Sequence, residues 1–145
     1  SQNCIMTGTD FSLIDFGAVV GFDEDGSDNV IAFTAGYCAP EVVDGAYENE
    51  LDGRADVYSV GALLWEMLSG ESPVKLANRL NPSPNLLTHL NMLPAKLPPL
   101  TLKILKESLQ EDRDLRPEAS KLKQLCIEAL KDLAHKRKHL MPGAC

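Results

Sequence analysis

The sequence predicts a mainly α-helical domain organised around one buried central helix, with a short two-stranded element near the start of the chain. Three observations predict it. Residues 56–70 are apolar almost all the way round, with Val57, Val60, Leu64 and Met67 on one face and Ala62, Leu63 and Leu68 over much of the rest. An ordinary surface helix has a polar back, so a helix of this kind belongs in a core. Residues 117–138 carry Leu122, Leu125, Cys126, Ala129, Leu130 and Leu133 at helical spacing, the pattern of an amphipathic helix. Residues 11–14 alternate and are bulky, which suits a strand, and Gly8 before them suits a hairpin turn.

Length, charge and cysteine usage narrow the class. At 145 residues the chain suits one domain with its own core. A membrane span needs about 20 apolar residues without charge. Residues 56–70 carry Asp56 and Glu66 and stop at Gly70, so no membrane span is expected. The first residues show no signal-peptide pattern. The chain opens on Ser1, which reads as trimmed or cut from something longer. Cys4, Cys38, Cys126 and Cys145 form no Cys-x-x-Cys pair, against zinc ribbons and thioredoxin-type motifs. Their low density argues against a stapled secreted fold, so an intracellular, cytoplasmic setting is expected. Residues 1–56 hold twelve acidic side chains against Arg54 alone, a net −11, whereas residues 57–145 hold thirteen basic and nine acidic, a net +4. A solvated acidic loop and a solvated basic helix account for this asymmetry, and no nucleic-acid partner is implied.

Taken in order, Ala18-Val19-Val20 suits a second short strand, and residues 21–29, with Asp23, Glu24, Asp25 and Asp28, read as a solvated loop. Pro40 suits the start of a short helix. Asp56 is placed to satisfy N–H groups at the head of the central helix, and Gly70 to stop it in a left-handed conformation. Residues 74–80 fit a short helix, Asn81-Pro82-Ser83-Pro84 breaks it, and residues 86–93 fit another turn or two. Pro94, Pro98 and Pro99 bracket an extended stretch. Residues 101–109 read as a helix with Leu102, Leu105 and Leu109 on one face. Pro117 suits the first position of the last helix, and the basic run 135–139 suits its end. Trp65 and Cys38 read as core residues, and His89, His135 and His139, without ligand spacing, as surface histidines.

Chemistry enters through order. Asp15-Phe16-Gly17 is weak alone and reads as a turn carboxylate after a strand. Ala39-Pro40-Glu41 then closes a segment of ordinary activation-loop length, residues 56–70 follow as D-V-Y-S-V-G-A-L-L-W-E-M-L-S-G, and Leu115-Arg116-Pro117 comes after Leu109 and Asp112. Four elements in this order resemble the C-terminal lobe of eukaryotic-type protein kinases, from Asn3 to about Leu133. The resemblance implies a kinase-like C-lobe with a central buried helix, a short β-hairpin element and an activation segment. Residues 1–140 would form this partial lobe and residues 141–145 a frayed tail.

The resemblance also implies roles. Asp15 would be a magnesium ligand, a hard oxygen donor for the cation that neutralises a transferring phosphoryl group. Asn3, twelve residues earlier, would hold a second magnesium, its plain alternative being an ordinary turn residue near a chain end. Phe16 would pack under the nucleotide site, and Gly17 would permit the sharp turn there. Thr34 would contact the catalytic aspartate from the loop that receives substrate, although Phe33 stands where the family usually has glycine. Ser27, among Asp25 and Asp28, would be a regulatory hydroxyl, with Arg54 the only nearby basic residue to receive a phosphate. Glu41 and Arg116 would form a buried ion pair, and Asp56 would hydrogen-bond the catalytic-loop backbone.

The family also needs a glycine-rich loop, a strand lysine, its helix glutamate partner and a His-Arg-Asp loop. None of these occurs within the 145 residues. Two readings follow. In one, the chain is the C-terminal portion of a serine/threonine-type kinase that uses Mg2+ and ATP when intact, binds neither tightly alone and is not catalytic as an isolated chain. Its partners would be a protein substrate and a separate chain supplying the N-lobe. In the other, it is a non-catalytic kinase-lobe or pseudokinase module that serves as a protein-interaction or scaffold unit.

Overall fold

The structure, a computed structural model, describes residues 4–8, 10–13, 33–44, 52–78 and 81–140. The described part is mainly helical. Strands β1 (Cys4–Thr7) and β2 (Asp10–Leu13) pair antiparallel, with Cys4 opposite Leu13 and Thr7 opposite Asp10. Gly8, in the turn between them, has a φ of 65°. This is the hairpin that Gly8 and the alternation after it predict, with its second strand starting one residue earlier. Ala18-Val19-Val20 and the acidic stretch 21–29 lie outside the described residues.

Among the described residues four α-helices follow: α1 (Pro40–Val43), α2 (Arg54–Ser69), α3 (Pro99–Ser108) and α4 (Ala119–Leu140). Helix α2 is the centre. Tyr58, Ala62 and Trp65 pack with Leu105 and Leu109 from α3 and its C-cap, with Leu86 and Leu93, and with Ala39 ahead of α1. Val57 turns to a second cluster with Ile104 of α3 and Leu122, Leu125 and Ala129 of α4. Helices α2 and α3 meet at Gly61: a Cβ there would lie 2.8 Å from Cβ of Ser108 and 3.1 Å from the Leu109 side chain. Only the absence of a side chain permits this approach.

Several expectations are corrected. The buried face of α2 is Val57, Tyr58, Gly61, Ala62 and Trp65, one continuous stripe at helical spacing. Val60 and Met67, expected beside Val57 in the core, lie on the opposite side and are 49% and 67% exposed. Asp56 does not cap the helix. The N-cap is Gly53, and the carboxylate that accepts a helix N–H is Asp52, from Arg54 at 2.8 Å. The end behaves as expected, with Gly70 left-handed at φ 73° and its N–H donating to the Glu66 carbonyl at 2.9 Å.

Residues 74–78 do not make an α-helix, and residues 79–80 of the expected one lie outside the described residues. A single 3-10 turn spans Pro73–Lys75, because Pro73 starts it and the chain turns at Leu76 to bring Asn78 N–H to the Asn81 carbonyl at 3.0 Å. Residues Leu86–Met92 form 3-10 turns kinked at His89, started by Asn85, whose side chain accepts the Leu87 N–H. Helix α3 begins at Pro99, two residues before the expected start, since a first-turn proline has no N–H to leave unpaired. Helix α4 begins at Ala119, two residues after Pro117.

Candidate functional site

Residues 34–41 carry two of the residues singled out from sequence, Thr34 and Glu41, and are held from three sides. Thr34 is exposed, and its carbonyl accepts the Tyr37 N–H at 3.2 Å to close a turn. Gly36 sits at φ 89°, and a Cβ on it would fall 2.6 Å from the Pro73 carbonyl carbon and 2.7 Å from Val74 N. Both the left-handed backbone and the contact with residues 73–74 demand glycine. The Gly36 N–H donates to the Pro82 carbonyl at 2.7 Å. Ser59 Oγ of α2 donates to the Tyr37 carbonyl at 2.9 Å, and Ser83 Oγ donates to the Cys38 carbonyl at 2.7 Å. Cys38 is buried beneath this turn, and burial pushes its thiol up from the ordinary range.

Pro40 then opens α1, placing Glu41 in its first turn. Glu41 meets Arg116 across 75 positions of sequence. Arg116 Nη1 donates to Glu41 Oε1 at 2.8 Å and Nη2 donates to Oε2 at 2.5 Å, the parallel two-pronged geometry of guanidinium and carboxylate. Its other N–H groups donate to the carbonyls of Arg54 at 2.8 Å, Gln110 at 2.8 Å and Glu111 at 3.2 Å. A guanidinium has five N–H donors, and all five are used. The Arg116 side chain is fully buried and lies 5.3 Å above the centre of the Tyr58 ring. One side chain thus ties α1, the head of α2 and residues 110–111 together. Burial pushes the Tyr58 hydroxyl up in pKa, and that hydroxyl donates to the Pro84 carbonyl at 3.2 Å.

Asp56 is exposed at the head of α2. Asn3, Asp15, Phe16, Gly17 and Ser27 lie outside the described residues. Among the described residues no group of three or more His, Cys, Asp or Glu side chains is placed to hold a metal ion. The structure therefore brings Thr34, Glu41 and Arg116 into one framework, leaves Asp56 exposed outside it, and says nothing of Asn3, Asp15, Phe16, Gly17 and Ser27. Sequence reasoning missed Ser59, Ser83 and Asp52. The signal for Ser83 was present as Pro82-Ser83-Pro84, which reads only as a helix breaker until its partners are known.

Residues 1–140 match the family model described as the protein kinase domain. The chain belongs to the protein kinase family. Its relatives include a serine/threonine-protein kinase, STY17, of Arabidopsis thaliana, 31% identical over 133 residues, which covers 88% of this chain and 23% of that protein. The serine/threonine-protein kinase PknF of Mycobacterium tuberculosis is 31% identical over 135 residues, covering 86% of this chain and 25% of that protein. Serine/threonine-protein kinase A of Synechocystis is 39% identical over 64 residues, or 43% of this chain and 12% of that protein. The chain spans a quarter or less of the length of these curated relatives. The mainly helical architecture around α2 is consistent with a kinase-like C-lobe. No described helix is long and apolar enough to cross a membrane.

Proposed function

We propose that this chain is the C-terminal portion of a serine/threonine-type protein kinase and contributes the substrate side of phosphoryl transfer to protein hydroxyls. The observation that carries this reading is the 34–41 segment, seated on α2 and tied by Arg116, in a chain of the protein kinase family. Residues 1–140 act as one partial lobe, and residues 141–145 as a tail. Thr34 lies on the exposed side of the segment, where a peptide hydroxyl can approach. Asn3 and Asp15 offer the hard oxygen donors that magnesium takes, and magnesium with ATP would supply the phosphoryl group and the charge that steadies it. Phe16 and Gly17 set the state of the segment's start, Ser27 is its regulatory hydroxyl, and Asp56 faces the catalytic loop. The 145 residues hold no glycine-rich loop, strand lysine or His-Arg-Asp loop, so the isolated chain is inert and needs these parts from elsewhere.

A titration tests both halves. ATP with Mg2+ added to the isolated chain is expected to leave its thermal midpoint unchanged, and a nucleotide-dependent rise would overturn inertness. A protein that joins this chain to a His-Arg-Asp loop and a glycine-rich lobe is expected to phosphorylate serine or threonine in a protein substrate. If it does not, the second reading stands, a non-catalytic kinase-lobe module that binds a partner. Phe33 before Thr34, itself exposed, favours that second reading, as do exposed Val60 and Met67 on α2.

A further inference from the structure

Residues 82–84 present three successive groups to the framework around Thr34. The Pro82 carbonyl accepts the Gly36 N–H at 2.7 Å and faces the Cys38 thiol at 3.8 Å. Ser83 Oγ donates to the Cys38 carbonyl at 2.7 Å. The Pro84 carbonyl accepts the buried Tyr58 hydroxyl at 3.2 Å. The clip thus grips residues 36–38 with two residues and α2 with the third. Flanking prolines fix φ at Pro82 and Pro84, so little chain freedom is lost when Ser83 makes its bond. Residues 36–38 belong to neither helix nor strand, and their outward backbone groups depend on such partners.

We infer that Ser83 is a positioning residue for the Thr34–Cys38 segment: its hydroxyl, aimed by Pro82 and Pro84, sets the depth at which that segment sits on α2. This role rests on the proposed kinase reading for its consequence, but its geometry stands apart from it. Ser59 supports the same segment from α2 through the Tyr37 carbonyl, so loss of Ser83 should loosen residues 36–38 without unfolding the domain. Threonine carries the same donor and should replace Ser83, whereas alanine should not.

The test compares Ser83→Ala and Ser83→Thr in the full 145-residue chain by amide hydrogen exchange. S83A is expected to speed exchange at Gly36 and Tyr37 about tenfold, while amides of Val57, Ala62 and Trp65 keep their rates, and S83T is expected to match the parent. Unchanged exchange at Gly36 in S83A overturns the proposal. So does an equal rise in α2, which would make Ser83 a general stabiliser, or a failure of S83T to restore protection. A second measurement separates this from the kinase reading. In a protein that joins this chain to the missing lobe, S83A is expected to raise KM for a peptide substrate several-fold with kcat nearly kept. Loosened amides with no phosphoryl transfer in either form would uphold the clip and sink the kinase reading. Transfer with an unmoved KM would sink the clip's role in substrate placement.

Discussion

Two arginines 62 positions apart do opposite work at neighbouring places. Arg116 is fully buried and spends its five donors on α1, α2 and residues 110–111. Arg54, at the head of α2, reaches Asp52 at 2.7 Å and Asp114 at 2.9 Å, partners that are 42% and 72% exposed. The guanidinium, carboxylates and distances are alike, and the difference is water. Removing a partner from a buried, saturated charge strands that charge, whereas solvent and salt replace a lost partner at the surface. The comparison teaches that the lock on the 34–41 segment is Arg116, and that the Arg54 pairs trim a helix end.

The largest predicted effect tests the buried side. Arg116→Ala or Glu41→Ala should cost about 3–5 kcal/mol, read as a fall in the urea midpoint at constant slope. Arg116→Lys should recover little, because an ammonium has three donors and no fork for the five acceptors that surround Arg116. A loss below about 1 kcal/mol would place the pair on the same footing as the Arg54 pairs and remove the distinction.

Gly36→Ala comes next and asks whether the lock holds a segment that has no slack. The left-handed backbone alone should cost about 1–3 kcal/mol. The new methyl would also meet the backbone of residues 73–74 at 2.6 Å, which cannot rotate away as a side chain would. Circular dichroism melting of the variant should show a lowered midpoint, with proteolysis first near residues 34–38. A variant that melts with the parent would mean that residues 73–74 yield freely.

How much of this was legible in the sequence depends on the range of the interaction. The Glu41–Arg116 pair is what the kinase resemblance implies, and the structure puts the two 2.8 Å apart. The hairpin and the end of α2 at Gly70 follow from local rules of glycine and alternation. The orientation of α2 was not legible. An apolar run gives burial but not which stripe faces the partner, and Gly61 against Ser108 decides that only once α3 is in place. The sequence points to Asp56 as the carboxylate at the helix head, but the helix starts two residues earlier, at Arg54, and Asp52 accepts the N–H there. The task of Ser83 is not legible because its partner, the Cys38 carbonyl, lies 45 positions away. Asn3 and Asp15, which carry the metal reading, lie outside the described residues and stand on the resemblance alone.

The surface side of the comparison calls for small numbers. Asp114→Ala should shift stability by about 0–0.5 kcal/mol, and the shift should fade in 0.5 M salt. Asp52→Ala should cost somewhat more, about 0.5–1 kcal/mol, because the Asp52 carboxylate also accepts the Arg54 N–H at the helix start. Asp52→Asn separates the two roles, since an amide oxygen still accepts that N–H but carries no charge. If D52A and D52N fall equally, charge is the larger part, and if only D52A falls, the cap is.

The smallest effect is a pH dependence, and its sign is fixed. The hydrogen bond from Arg54, with the guanidinium charge behind it, holds the Asp52 carboxyl below its usual range. A carboxyl with a lowered pKa in the folded state stabilises the fold above its unfolded pKa of about 3.9, and that contribution is lost as pH falls through the folded value. Asp52 is well exposed, so solvent screening leaves only a few tenths of a kcal/mol. Urea midpoints of the parent and D52N should therefore differ slightly at pH 6 and converge by pH 2–3. A gap that widens in acid would require Asp52 to be protonated more readily in the folded chain, against the geometry of its bond to Arg54.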